Sequence, residues 1–390
     1  PRPACRACGD TRVEILHEVP QVPVNSVLSV DSFAEARAFP RGDLRLGFCA
    51  GCGFVFNLAF EPARLEYSAR YEPTQAYSGT FGRWHRELAE RLIARHGLRR
   101  KQVLEVGCGK GEFLALLCEL GDNRGLGFDP AFDASRFEAP RGGRVEFIAD
   151  TYSEMYAGLE ADFVCCKMTL EHIADAADFV RMVRRTITRP DTTVFFQVPD
   201  ARRIFEEGAF WDLYYEHCSY FTAGSLARLF RRAGFEVRRV EREYDGQYLT
   251  LEARPTNAPR GAPRPAEEPV EVTRALAERF RRDVAARCDG WRRRVREVAE
   301  AGARVLLWGS GSKGVAFLTT LRLGSEVRAV VDINPHRHGK HMLGTGHRIV
   351  GPSALRALAP DVILIMNPIY RAEIEGELAR LGLSPEVWTT

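Results

Sequence analysis

Val103-Leu104-Glu105-Val106-Gly107-Cys108-Gly109-Lys110-Gly111 decides how this chain is read. An apolar strand runs into a glycine-rich turn, and a helical pattern follows from Glu112 to Leu120. Glycines there let the backbone pass close beneath a ligand, and a helix N-terminus favours a phosphate or carboxylate. The next strand, Gly125-Leu126-Gly127-Phe128-Asp129, ends in an acid. A carboxylate at that point can take both hydroxyls of an adenosine ribose. Strand, turn and acid-tipped second strand together predict an α/β fold with a Rossmann-like, ligand-binding core.

Working outward, candidate strands follow at 144–148, 162–166 and 193–198, alternating with helical patterns. A final pair, 235–242 and 248–253, is joined through Tyr244-Asp245-Gly246-Gln247, a hairpin signal. Ahead of the core, Phe81 to His96 reads as an amphipathic helix. Residues 254–269 carry five prolines without periodicity and read as a linker. A charged helix pattern spans 270–301, with a packing role. The apolar strand Arg304 to Trp308 then ends in Gly309-Ser310-Gly311-Ser312-Lys313-Gly314, and strands at 327–332, 361–366 and 386–388 complete a second, smaller α/β unit. The expected division is 1–70, a cysteine module; 71–254, the ligand-binding core; 255–269, the linker; and 270–390, helix plus Rossmann-like domain.

Composition narrows the function. The chain has 390 residues, 45% of them hydrophobic, and no uninterrupted apolar run of 18, so a membrane partner is not expected. The sequence given shows no signal-peptide pattern, and a cytoplasmic protein is expected. A net charge of +3 supplies no polycation for nucleic acid. Of ten cysteines, four form Cys5-x-x-Cys8 and Cys49-x-x-Cys52, each pair followed by glycine. That spacing predicts one structural Zn²⁺ held by four thiolates. Cys108, Cys118, Cys165 and Cys166 read as small buried hydrophobes.

Several side chains carry candidate chemistry. Glu105, Gly107, Gly109 and Asp129 belong to the glycine-turn site, and Asp150 ends the third strand, where it suits either an adenine amine or a helix N-cap. His172, in Lys167-Met168-Thr169-Leu170-Glu171-His172-Ile173, sits at a strand's carboxyl end, where ligands bind in open α/β sheets, though a backbone-bonded structural histidine is the alternative. The densest cluster is Phe210-Trp211-Asp212-Leu213-Tyr214-Tyr215-Glu216-His217-Cys218-Ser219-Tyr220-Phe221-Thr222. His217 has the near-neutral pKa of a general base, but an aromatic plug beneath the sheet would look the same. Gly309 to Gly314 fits a dinucleotide turn followed by Asp332, and its amides with Lys313 can equally bind another pyrophosphate. His336, His338, His341 and His347 lie in a Gly/Pro-rich loop read as solvated or substrate-facing.

The Glu105–Gly111 turn resembles motif I of the class I S-adenosylmethionine (SAM) methyltransferases, and Leu170-Glu171-His172 resembles their post-strand segment. The whole order of parts is similar to the nucleotide-sugar C-methyltransferases of antibiotic deoxysugar pathways. Three segments carry it: the cysteine pairs; Tyr215 to Thr222; and the C-terminal set Gly309–Gly314, Val331-Asp332-Ile333-Asn334-Pro335 and Met366-Asn367-Pro368-Ile369-Tyr370. The resemblance implies a class I SAM methyltransferase core between a four-cysteine zinc module and a second Rossmann-like domain that holds the substrate nucleotide. It implies His217 as base, with Tyr214, Tyr215, Glu216 and His172 around the sugar. It places substrate contacts at Ser312, Lys313, Asn334, Asn367 and Tyr370, and a lid over the aromatic stretch 71–81. The expected partner is a nucleotide-linked ketosugar, and a monomer is expected. Rival readings are an O- or N-methyltransferase, an NAD-dependent oxidoreductase using Gly309–Gly314, and a zinc-ribbon RNA-binding protein, for which residues 13–60 show no basic-aromatic stripe.

Overall fold

The computed structural model describes residues 3–65, 75–137, 141–258 and 261–390. At its centre lies a seven-stranded sheet in the order Phe235–Glu243, Tyr248–Pro255, Thr193–Pro199, Phe163–Lys167, Gln102–Val106, Arg124–Phe128, Arg144–Ile148. The last five are parallel, and Tyr248–Pro255 runs antiparallel to both its neighbours. Interior strands are near-continuous in apolar residues because helices cover both faces; Phe163, Val164, Cys165 and Cys166 are all buried. The hairpin turn places Tyr244, Asp245 and Gly246 at positive φ. Helix Gly79–His96 starts at Ser78, whose side chain accepts from the Phe81 N–H, and stops at left-handed Gly97.

A five-stranded sheet forms the C-terminal domain, entirely parallel, in the order Ile349–Val350, Val327–Val331, Val305–Trp308, Val362–Ile365, Glu386–Thr389. Helix Val270–Glu300 joins it to the core. Its buried Ala277, Phe280, Val284, Cys288 and Val295 form one stripe, packed against strand Val13–Pro23 and helices Ala201–Glu207 and Ser312–Leu321.

The first 65 residues do not close on themselves. Strands Val13–Pro23, Arg41–Cys49 and Val55–Asn57 form an antiparallel sheet whose fourth strand, Ser219–Tyr220, comes from the central domain. Ser29–Val30 pairs with His341–Met342 of the C-terminal domain. The histidine loop, expected to be solvated or substrate-facing, is divided: His336 and His338 are exposed, whereas His341 is in a strand pair and His347 is buried with Nε2 2.8 Å from the Gly324 carbonyl.

The end of the linker is docked on the core. Arg231 reaches Glu267 through Nη1 at 2.6 Å and Nη2 at 2.5 Å, and the Gly224 N–H donates to Glu268 at 2.9 Å. Both partners of the Arg231–Glu267 pair are buried, so removing one strands the other charge. Glu267→Ala is expected to lower stability by about 3–5 kcal/mol, measured by urea unfolding. Glu14→Ala, at an exposed residue paired with half-buried Arg274, should cost under about 1 kcal/mol in the same assay.

Candidate active site

The carboxyl ends of the central parallel strands open into a cleft of 840 Å³. Its walls come from all three parts of the chain, from Val27 through Gly107, Asp129, His172 and His217 to Lys313 and Tyr370. At one end lies the glycine turn. Gly107, Gly109 and Gly111 all have positive φ, and the turn closes on Asp129, which accepts from the Gly109 N–H at 2.9 Å and the Ala131 N–H at 2.8 Å. Burial raises the Asp129 pKa, and those two N–H groups oppose the rise. Glu105 is 2% exposed, its Oε2 has no hydrogen-bond partner, and burial pushes its pKa up to about 8. Asp150 also borders the cleft, accepting from Thr151 N–H and from the Tyr156 hydroxyl. It caps no helix, since the next turn starts from Ser153.

The middle of the cleft holds the histidines. His172 donates from Nδ1 to the Glu216 carbonyl oxygen at 3.1 Å, which leaves Nε2 as the acceptor of a neutral ring. Its ring lies edge-on to that of His217, centroids 4.7 Å apart at 89°. Tyr214 covers the His217 ring from another side at 4.4 Å. Burial drives the His217 pKa well below its usual value, assisted by His172 and Lys313, so the imidazole is neutral and able to accept a proton. Glu216 accepts from Ser26 through its N–H at 2.9 Å and its hydroxyl; burial raises its pKa to about 7. Glu171 is 1% exposed with both carboxyl oxygens unpartnered, and one atom each of Glu171, His172 and His217 lie within 4.8 Å of one another.

Tyr215 is elsewhere, which corrects its placement beside Tyr214. It is buried in the N-terminal module, its hydroxyl accepting from the Glu61 N–H at 2.9 Å and its ring 5.4 Å from Phe60. The segment divides its side chains between two sides: Asp212, Tyr214, Glu216 and His217 line the cleft, while Trp211, Leu213 and Tyr215 enter the core. The cluster is therefore both site and plug, one role per face.

At the far end, Ser312, Lys313, Asn334, Asn367 and Tyr370 all border the cleft, but most are already engaged. Lys313 is ion-paired with Asp212, so its charge is matched. Asn367 and Gln247 exchange amide hydrogen bonds at 3.0 and 2.9 Å, and the Tyr370 hydroxyl donates to Gln75 and accepts from Tyr244. Asn334 holds the His336 N–H at 3.0 Å, while its buried Nδ2 is unpartnered. Of the lid stretch 71–81, residues 71–74 lie outside the described residues; Gln75, Tyr77, Ser78 and Phe81 border the cleft. Asp212, Ser26, Gln247 and the pair His85–Lys167 are site residues that the sequence reading left unassigned. For Asp212, its place in the dense aromatic cluster is the available signal; for Ser26 there is none.

Away from the cleft, Cys5 and Cys52 Sγ lie 3.7 Å apart, and Cys8 and Cys49 Sγ 3.6 Å. Both spacings exclude a disulfide, whose sulfurs are ~2.05 Å apart. They match the ~3.8 Å edge of a tetrahedron with ~2.3 Å metal–sulfur bonds. Gly9 and Gly53, at positive φ, donate to the Cys5 and Cys49 carbonyls at 2.8 Å, forming two matched knuckles.

Residues 80–240 match a family model described as a methyltransferase domain, and residues 264–382 one described as the C-methyltransferase C-terminal domain. The chain is 28% identical to C-methyltransferase NovU of Streptomyces niveus over 391 residues, 95% of this chain and 90% of that one. Among solved structures, magnesium protoporphyrin IX methyltransferase of Synechocystis PCC 6803 with bound S-adenosylhomocysteine is 17% identical, covering 45% of this chain and 84% of that one, TM-score 0.36. The 1,6-didemethyltoxoflavin-N1-methyltransferase of Burkholderia thailandensis is 23% identical, covering 52% and 96%, TM-score 0.37. The fold and cleft are those of a methyltransferase enzyme. More narrowly, the chain is similar to C-methyltransferases, in its C-terminal domain by family model and over nearly its whole length by relative. No helix among the described residues is long and apolar enough to cross a membrane.

The glycine turn makes a graded prediction. A Cβ on Gly107 would sit 2.2 Å from the Thr169 hydroxyl, whereas one on Gly109 meets nothing within 4 Å. Gly109→Ala should therefore cost only the left-handed backbone penalty, about 1–2 kcal/mol. Gly107→Ala should cost more and weaken S-adenosylhomocysteine binding further, as read by thermal unfolding with and without that ligand.

Proposed function

We propose that the enzyme methylates a carbon next to a ketone on a nucleotide-activated deoxysugar. The observation that carries this is the continuity of the cleft: one cavity runs from the Gly107 turn, past two neutral histidines, to the Gly309–Gly314 turn of the second Rossmann-like domain. SAM, bound at the first turn, supplies an electrophilic methyl group. Gly107 and Gly109 would let the backbone lie close to it, Glu105 would meet its ammonium, Asp129 its ribose and Asp150 its adenine. An ordinary C–H is no nucleophile, so the substrate carbon has to be deprotonated first. His217 would remove the proton α to the ketone, the C–H electron pair moving into an enolate. Tyr214 would stabilise the enolate oxygen, and Glu171 would balance the imidazolium formed at His217. His172, whose one N–H is held by the Glu216 carbonyl, would position the His217 ring it lies against rather than donate to the enolate. The enolate carbon then takes the methyl, releasing S-adenosylhomocysteine.

At the other end, the amides of Gly311 to Lys313 and the unpartnered Asn334 amide would meet the substrate pyrophosphate, with Ser312, Asn367 and Tyr370 beside it. Because Asp212 already matches the Lys313 charge, anion binding there would draw on backbone dipoles more than on the lysine. The four cysteines would hold one structural zinc. A four-thiolate site has no open position, so the metal would take no part in the chemistry.

His217→Gln is expected to lower kcat by about 10²–10⁴-fold with a ketosugar substrate while leaving S-adenosylhomocysteine affinity intact; unchanged turnover would remove the base assignment. Native mass spectrometry should show S-adenosylhomocysteine and dTDP or UDP bound together, and no NAD. Binding of S-adenosylhomocysteine without any nucleotide would turn the reading towards another metabolite, methylated on oxygen or nitrogen. Elemental analysis should find one zinc per chain, and Cys49→Ser or strong chelation should remove it and lower the unfolding temperature by several degrees or more. Full thermal stability without zinc would reject the metal site.

A further inference from the structure

Glu105 is not the only unbalanced charge at the glycine-turn end of the cleft. Lys167, the last residue of strand Phe163–Lys167, borders the same space. Its ammonium has one hydrogen-bonding partner, Nε2 of His85 at 2.6 Å, and lies 3.6 Å from the centroid of the Phe113 ring. Since an ammonium only donates, His85 Nε2 accepts, and His85 is a neutral ring held in the Nδ1–H form. Burial lowers the His85 pKa far below its usual value, in keeping with that assignment. Among the described residues Lys167 has no carboxylate within 4.0 Å, and Glu105 has no cation within that distance although each senses the other. Burial brings the Lys167 pKa down to about 8, with Glu105 opposing the fall.

A buried ammonium and a buried carboxylate that border one cavity without touching are costly to keep. They are complementary to a ligand that brings both opposite charges, the ammonium and carboxylate of an α-amino acid. We infer that Lys167, oriented by His85, binds the carboxylate of the methionine end of SAM, opposite Glu105 on its ammonium. The inference rests on the SAM reading of this end of the cleft and deepens it. Two charges set apart recognise the amino-acid end as a whole, so the site selects against adenosyl compounds that lack the carboxylate. The Lys167 side chain thus sets cofactor specificity, and His85, reaching in from helix Gly79–His96, is a positioning residue for it.

The test is titration calorimetry of the full chain with two ligands, S-adenosylhomocysteine and its decarboxylated analogue. Wild type should prefer S-adenosylhomocysteine roughly ten- to hundredfold, the value of one charge-assisted hydrogen bond. Lys167→Met should abolish that preference by weakening S-adenosylhomocysteine alone, and Lys167→Arg should retain most of it. An equal loss of both ligands in Lys167→Met, or an unchanged preference, would overturn the assignment. Circular dichroism of each variant separates loss of fold from loss of contact. Failure of wild type to bind either ligand would instead remove the SAM reading itself, and this inference with it.

Discussion

The antiparallel pairing of Ser219–Tyr220 with Val55–Phe56 is the constraint on which the site depends. It fixes the end of the segment that begins at Phe210 and carries Tyr214, Glu216 and His217. Within that segment the side chains divide between core and cleft: Tyr215 is locked into the N-terminal module, Glu216 is held by Ser26, and His217 is left against His172. A one-residue slip in the pairing would turn Ser219 and Tyr220 to the opposite faces of the sheet and draw the segment before them out of register with the cleft. The cysteine knuckles flank the same sheet: Cys49 ends strand Arg41–Cys49, and Cys52 lies just before Val55–Asn57.

The cleft is also defined by what its charges lack. Glu105, Glu171 and Glu216 each keep at least one buried oxygen without a partner, and Asn334 keeps an amide nitrogen. Unpaired buried polar groups cost more than most single contacts return. Those that border the cleft leave it lined with polar atoms that a polar ligand can meet. The histidines follow the same logic. Burial keeps both neutral at physiological pH, one by a fixed tautomer and the other by its neighbours.

Most of the fold was legible in the sequence because it rests on local signals. Every strand of the central sheet lies within a residue or so of its expected position, as does the hairpin at Tyr244, since apolar runs and turn residues report on neighbours close along the chain. The four cysteines converge as their spacing implied. What was not legible depends on contacts distant in sequence. The Ser219–Tyr220 and His341–Met342 strands are two residues each and have no pattern of their own; they exist because a partner edge is there. The Pro-rich stretch before residue 270 reads only as a linker, and nothing in it announces that Glu267 and Glu268 dock its end on a buried arginine and a backbone amide. Tyr215 escapes the sequence because residues 210–222 read as one cluster, whereas their side chains divide between cleft and core.

The borrowed strands have a consequence for the order of folding. As the chain leaves the ribosome, the N-terminal sheet has an open edge at Val55–Asn57 until Ser219–Tyr220 emerges, and Ser29–Val30 has no partner until His341–Met342 does. The cysteines can be drawn together early, but the sheet they flank is completed only when most of the chain has been synthesised. Contacts of such long sequence separation slow folding and leave strand edges exposed while it proceeds. Binding metal at the cysteine knuckles would hold the nascent module in shape through that interval, so the site's largest contribution would come during synthesis, before the cleft exists.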